Sequence, residues 1–179
     1  MRGNDTSGDE PPRGFRVPAA LITSRPFRAI GPRLIPRVHR VVSRLSGGRV
    51  FDTGAQPMGM LVHTGARTGA RRETPMAVVP YGSHYLVVGS NFAKERHPAW
   101  STNLLANPRA ELHFRGRRLV VTARRLEGDE RRDAWNHAVR WYPNWVGYAR
   151  ITSRELRLFE LVPDRSAPAV PLHGQPPAG

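Results

Sequence analysis

From Gly59 onward the apolar residues come in short runs, each closed by glycine, proline or a polar turn, and this punctuation constrains the fold more than any other feature. Runs at 59–64, 73–80, 84–90, 109–114, 117–126 and 156–162 have the period of two or the brief apolar block of a β-strand. The second and third are joined by the tight turn Tyr81-Gly82-Ser83. Such close spacing favours hairpins, because a parallel crossover needs a dozen or more connecting residues. Two helical segments interrupt the strands. Pro98-Ala99-Trp100-Ser101-Thr102-Asn103-Leu104-Leu105 opens with a proline in its first turn, and Asp129 to Trp141 follows the turn Glu127-Gly128. The expected architecture is α+β, a small antiparallel barrel with inserted helices, and not a doubly wound sheet.

At 179 residues, one domain with tails is the natural organisation. Residues 1–30 are polar and Pro/Gly-rich at their start and are expected to lack fixed structure, as is the Pro-rich tail 163–179. No apolar leader stands in Met1 to Gly14, and no run approaches the roughly 20 apolar residues of a membrane-spanning helix. A cytoplasmic protein is expected, with a place at the inner face of the membrane compatible with its charge. The absence of cysteine excludes disulfides, thiolate metal sites and a Cys nucleophile, and the seven histidines have no ligand spacing, so no metal is expected. Between the N-terminal segment and the strands, residues 31–48 read as an amphipathic basic helix. Leu34, Val38, Val41 and Leu45 line one stripe, Arg33, Arg37, Arg40 and Arg44 another, and Gly47-Gly48 ends it. The barrel domain then spans 49–162.

A formal net charge of +14, carried almost wholly by arginine with Lys94 the one lysine, predicts an anionic partner. Nucleic acid, a lipid surface and a polyanionic small molecule all satisfy that. Three local signals narrow the choice. Gly65-Ala66-Arg67-Thr68-Gly69-Ala70-Arg71-Arg72 places two glycines and three arginines between strands, where a phosphate could sit or where solvated arginines could simply decorate a hairpin. Gly89-Ser90-Asn91 ends a strand without the surroundings of a hydrolase serine, so Ser90 suits a hydrogen bond to a ligand. Trp141, Tyr142, Trp145 and Tyr148 crowd the end of a helix, where they can wall a planar ligand or plug a barrel mouth. Trp100, one helix face with Asn103, suits core packing.

Taken in order, Leu61-Val62-His63-Thr64, Gly65-Ala66-Arg67-Thr68-Gly69, Arg72-Glu73-Thr74-Pro75, Val88-Gly89-Ser90, Pro98-Ala99-Trp100-Ser101-Thr102-Asn103-Leu104, Tyr142-Pro143-Asn144-Trp145-Val146-Gly147-Tyr148 and Thr152-Ser153-Arg154 resemble the deazaflavin-dependent nitroreductase family, whose members use reduced coenzyme F-420. The resemblance implies a split β-barrel of the flavin-reductase type. It implies that Arg67, Thr68 and Arg72, with Thr74 and Pro75 beside them, receive the phosphate and glutamate tail of the cofactor. Ser90 and Asn91 would line the deazaflavin ring, with Trp100 and Asn103 behind that wall, and Tyr142, Trp145 and Tyr148 would face the substrate. Three positions depart from the family pattern. Ala66 replaces a basic residue, Asn91 stands where lysine is frequent, and Trp145 replaces a tyrosine, so a proton for the reduced product would come from Tyr148, Tyr142 or water, near Ser90.

The implied activity is hydride transfer from reduced F-420 to a quinone, enone or nitro acceptor. FMN is the alternative cofactor, because a basic loop in a split barrel suits its phosphate too. A nucleic-acid-binding barrel is the rival reading; against it, the arginines spread through every element and the aromatics gather at one helix end. An anionic membrane surface meeting residues 33–45 is compatible with the redox reading, as is an oligomer.

Overall fold

The computed structural model describes residues 57–167 and 169–172, so residues 1–30 and the basic helix expected at 31–48 lie outside the described residues. The described residues contain eight strands: β1 Met58–Thr64, β2 Arg71–Ala77, β3 Val79–Tyr81, β4 His84–Val88, β5 Arg109–Phe114, β6 Arg117–Arg125, β7 Leu158–Pro163 and β8 Val170–Pro171. Among the same residues three α-helices accompany them, α1 Ala99–Ala106, α2 Gly128–Trp141 and α3 Asn144–Ile151, with one 3-10 turn at Asn91–Ala93. The sheet order is β2-β1-β5-β6-β7-β4-β3, with β8 beside β6, and every pairing is antiparallel.

The stretch expected as one strand at 73–80 is two, and the break closes the barrel. β2 pairs with β1 at one edge of the sheet, whereas β3 pairs with β4 at the other, so the chain passes from edge to edge at Val78. Val78 is fully buried and its N–H donates to Pro57 O at 3.0 Å. A Cβ on Gly59 would lie 2.8 Å from the Val78 side chain and 3.0 Å from His113 O. Glycine is therefore the residue that lets the seam close.

Sidedness follows from the pattern of each strand. β5 alternates, with Ala110, Leu112 and Phe114 inward and Arg109, Glu111 and His113 outward, as a half-buried antiparallel strand should. β4 and β7 are covered on both faces, which explains their continuous apolar runs. Phe159, Leu161 and Val87 join Leu61, Leu112 and Val121 inside the barrel, where α1 inserts Trp100 and Leu104. Leu86, Val88 and Leu158 face a second core under α2 and α3, which contains Trp141, Tyr142, Trp145 and Tyr148. Glu160 interrupts the β7 run and is 6% exposed. His84 Nδ1 and Arg124 Nη2 meet its carboxylate at 2.8 and 2.7 Å, so a buried charge is paired as it must be.

Two further expectations need correction. α3 is absent from the helices expected above, because Pro143 and Gly147 are helix-breaking residue types. Pro143 instead sits at the N-terminal boundary of the helix, where its missing N–H costs nothing. The interior Gly147 costs roughly 1 kcal/mol, which burial of Trp145 and Tyr148 outweighs. The tail expected to lose fixed structure from Pro163 keeps it further: Ser166 Oγ donates to Asp164 at 2.6 Å, and β8 pairs Val170 with Arg118. Among the described residues no helix is long and apolar enough to cross a membrane.

Candidate cofactor site

The basic loop closes on itself at the end of β1. Gly65 N–H donates to Ala70 O and Gly69 N–H to Gly65 O, both at 2.9 Å, and Gly69 takes φ +65°. A Cβ on Gly65 would stand 3.0 Å from Arg72 Nε and 3.1 Å from Thr68 Oγ1, so the first glycine keeps the Arg72 side chain lying across the loop. Arg71 is paired with Glu73 at 2.5 Å. Arg67 and Arg72 are exposed and have no carboxylate partner among the described residues, which leaves them for an anion from outside.

What holds this loop in place lies beneath it. Ala66 N–H donates to Asn103 Oδ1 at 2.9 Å, Asn103 Nδ2 lies 3.1 Å from His63 Nδ1, and His63 Nε2 lies 3.0 Å from Thr74 Oγ1. The backbone N–H fixes every role in the chain. It is a donor only, so Asn103 must present oxygen to it and nitrogen to His63, and His63 must accept at Nδ1 and carry its proton on Nε2. His63 is 4% exposed, and burial, with the Arg72 cation adding to it, holds the imidazole below its ordinary pKa and hence neutral.

The second part of the site is the turn after β4. Asn91, Phe92 and Ala93 have φ of 46°, 53° and 57°, three consecutive left-handed residues without a glycine. Each costs roughly 1–2 kcal/mol, so such a turn persists only where its surroundings over-determine it. Arg154 does so. Its Nη2 donates to Ser90 O at 2.7 Å, Nη1 to Gly89 O at 3.0 Å and to His97 Nδ1 at 3.3 Å, and Nε to Lys94 O at 2.8 Å. Ser153 Oγ and Thr152 Oγ1 donate to Glu95 at 2.8 and 3.3 Å. The hydrogen bond from Ser153 above all holds the Glu95 carboxyl below its usual range, whereas burial pulls Arg154 below its own. The Asn91 amide donates to Arg96 O at 2.7 Å and so braces the turn from within.

Helix α1 bridges the two parts. Pro98, at its start, stands over Gly89, where a Cβ would meet Pro98 Cγ at 3.5 Å, while Asn103 reaches the basic loop. Five residues of helix separate these anchors, about 7–8 Å.

The expected site residues therefore divide. Arg67, Thr68 and Arg72 stand exposed on and beside the loop, with Thr74 and Pro75 half-buried behind them on β2. Ser90 and Asn91 form the clamped turn. Trp100 is 8% exposed and packs against Phe159 at 5.7 Å between ring centroids, which makes it barrel core. Asn103 holds the loop through Ala66 N–H. Tyr142 stacks on Trp145 at 4.6 Å, and its hydroxyl donates to Pro57 O. Burial pushes that phenol well above its ordinary pKa, so its proton is held on the oxygen that donates to Pro57 O. Tyr148 is buried in the same core as that pair. Its ring lies 6.3 Å from Phe92, against the left-handed turn. Sequence reasoning gave His63 and Arg154 no role; their signal was present only as members of the Leu61-Val62-His63-Thr64 and Thr152-Ser153-Arg154 segments.

An antiparallel half-barrel with a basic loop and a clamped turn bridged by one helix is the architecture of a split barrel of the flavin-reductase type. A solved F420-H2 dependent reductase aligns at a TM-score of 0.55 with 34% identity, covering 59% of this chain and 93% of the other. A second solved chain, described as a domain-swapped dimer, aligns at 0.58 with 31% identity over 70% of this chain and 93% of its own. An F420H(2)-dependent quinone reductase of Mycobacterium tuberculosis is 35% identical over 102 residues, 56% of this chain and 68% of that protein. Residues 35–163 match the F420H(2)-dependent quinone reductase family, and the chain belongs to it. It is an oxidoreductase whose cofactor is coenzyme F-420, and the match gives the FMN alternative no support.

The residues present fit that cofactor. A phosphate with a glutamate tail needs fixed cations not already neutralised, and Arg67 and Arg72 meet the requirement while Arg71 does not.

Proposed function

We propose that this protein reduces a quinone with F-420 as hydride donor, holding the cofactor tail on Arg67, Thr68 and Arg72 and its ring beside the Ser90 turn. The observation that carries the reading is the pair of unneutralised arginines on a loop anchored from below by Asn103. When bound, reduced F-420 supplies the hydride, two electrons with one proton, and the protein's part is to orient it. The chain's own residues do three things. The loop arginines bind the anionic tail through charge-assisted contacts. The Arg154 clamp keeps the Ser90 turn fixed, so the position of its backbone groups does not drift with ligand. A quinone that accepts hydride becomes an oxyanion and needs a proton, and we assign its delivery to Tyr148, which lies against Phe92 of that turn. Nitro and enone acceptors ask for the same hydride and the same proton and are secondary candidates.

Titration of the purified protein with F-420 and with FMN, followed by ligand fluorescence, tests the binding part. F-420 should bind more tightly, its affinity should fall with salt, and Arg67→Ala and Arg72→Ala should each lose about 1.5–3 kcal/mol. Turnover of reduced F-420 with menadione tests the acceptor. Unchanged affinity in both arginine variants removes the loop assignment, and tighter binding of FMN removes the cofactor assignment.

A further inference from the structure

The chain Ala66–Asn103–His63–Thr74 has a direction, and that direction reaches the surface. His63 carries its proton on Nε2 and faces Thr74 Oγ1 at 3.0 Å, so the threonine oxygen accepts there. The Thr74 hydroxyl proton must then be donated elsewhere, and no acceptor for it exists among the described residues. Thr74 lies two residues along β2 from Arg72, on the same side of the strand. Arg72 in turn stands opposite His63 in the β1–β2 register.

We infer that His63 is a positioning residue for the anionic tail of the cofactor: it fixes the basic loop through Asn103 and turns the Thr74 hydroxyl outward as a donor beside Arg72. This rests on the reading that the loop receives that tail. One buried imidazole thereby serves two contacts to the same anion, and it does so only in the Nε2–H tautomer. With Nδ1 protonated, two donors would face each other between His63 and Asn103, and the Asn103 amide would have to turn its nitrogen toward Ala66 N–H. Glutamine preserves both functions of the neutral ring, an acceptor toward Asn103 and a donor toward Thr74. Alanine preserves neither.

The test compares two ligands, F-420 and the deazaflavin nucleoside that lacks its phosphate and glutamate tail, by fluorescence titration. His63→Ala should weaken F-420 about tenfold or more while the tail-less nucleoside moves within about twofold, since one or two charge-assisted contacts are lost on the tail side alone. His63→Gln should recover most of the loss, and Thr74→Val should reproduce part of it. Nitrogen NMR of the parent protein should show the proton of His63 on Nε2, a measurement that needs no variant to fold. Equal weakening of both ligands, no weakening of either, glutamine no better than alanine, or an Nδ1–H ring overturns the proposal. Arg67→Ala separates the two readings. If it distinguishes the ligands and His63→Ala does not, the positioning role fails alone; if it fails to distinguish them, the loop reading falls too.

Discussion

Two turns of this barrel, bridged by α1, use arginine in opposite ways. At the Gly65–Ala70 loop Arg67, with Arg72 just beyond it, faces outward without a carboxylate partner among the described residues, and the backbone is held by neutral groups, Asn103 and His63. At the Gly89–Glu95 turn a single arginine, Arg154, is consumed by the protein itself, donating to three backbone carbonyls. The difference follows from what each backbone needs. The first loop satisfies itself with two internal hydrogen bonds and one relaxed glycine, so its cations are left for a ligand. The second holds three strained residues, and only a planar fork with five donors can satisfy so many carbonyls from one side. An arginine's contribution here is decided by the backbone beside it, not by its own chemistry.

The comparison breaks most directly at Arg154. Arg154→Ala removes the side-chain donor from the Gly89 and Lys94 carbonyls and leaves Ser90 O with only the Ala93 N–H, and urea denaturation should show a loss of about 2–4 kcal/mol. Arg154→Lys should rescue little, since one ammonium cannot reach three carbonyls at once. Arg67→Ala, by contrast, should stay within about 0.5 kcal/mol of the parent in the same experiment. Equal stability of the Arg154 and Arg67 variants would end the distinction between the turns.

A smaller effect separates the two tyrosines expected to share one role. Tyr148→Phe should lower kcat with menadione by about tenfold or more, within the usual range for a general acid, and leave F-420 affinity intact. Tyr142→Phe should keep kcat and lose about 1 kcal/mol of stability, because its hydroxyl serves Pro57 O. Should both variants turn over like the parent, water delivers the proton and the Ser90 turn has no catalytic tyrosine.

The barrel was legible because strand periodicity and turn chemistry are local, and nearly every strand lies where the apolar runs put it. The break at Val78 was not, since an uninterrupted apolar run cannot reveal that its halves pair at opposite edges. The helix at Asn144–Ile151 was hidden by Gly147, whose propensity the packing of two aromatics overrides. At the site, exposed charge was readable: Arg67 and Arg72 stand where the loop pattern placed them. Residues acting on other residues were not. That Asn103 anchors the loop was not legible, because its partner Ala66 contributes only a backbone N–H, which no side-chain pattern encodes. Arg154 was one arginine among many in a chain of +14.

Acid should separate the two turns by pH. His63 is held neutral by burial and by Arg72 from β2; Asn103 on α1 and Thr74 on β2 are uncharged, and the inward-facing positions of β5, Ala110 and Leu112, do not titrate. Its folded pKa lies below the ordinary 6.5, so between those two values the unfolded chain holds more protons, and stability from this group falls as pH drops below 6.5. Once charged, His63 cannot accept from Asn103, and the Ala66 contact loosens. Glu95 is also lowered, chiefly by Ser153, but from 4.5, so its stabilisation of the second turn persists down to that pH and is lost as pH falls through its folded value. His97 faces Arg154 and is likewise kept below 6.5, by burial and by Arg157, Arg154 and Arg125 against the opposing Glu155. Charging it removes only the longest Arg154 contact, 3.3 Å, and leaves the three carbonyls engaged. Amide NMR through an acid titration should therefore show the Ala66 N–H shifting and losing exchange protection as His63 charges, at a pH below 6.5, while the Lys94 N–H, bonded to Asn91 O at 3.0 Å, follows Glu95 and holds until below 4.5. Movement of both amides in one step would show that the two turns are not held by different chemistry.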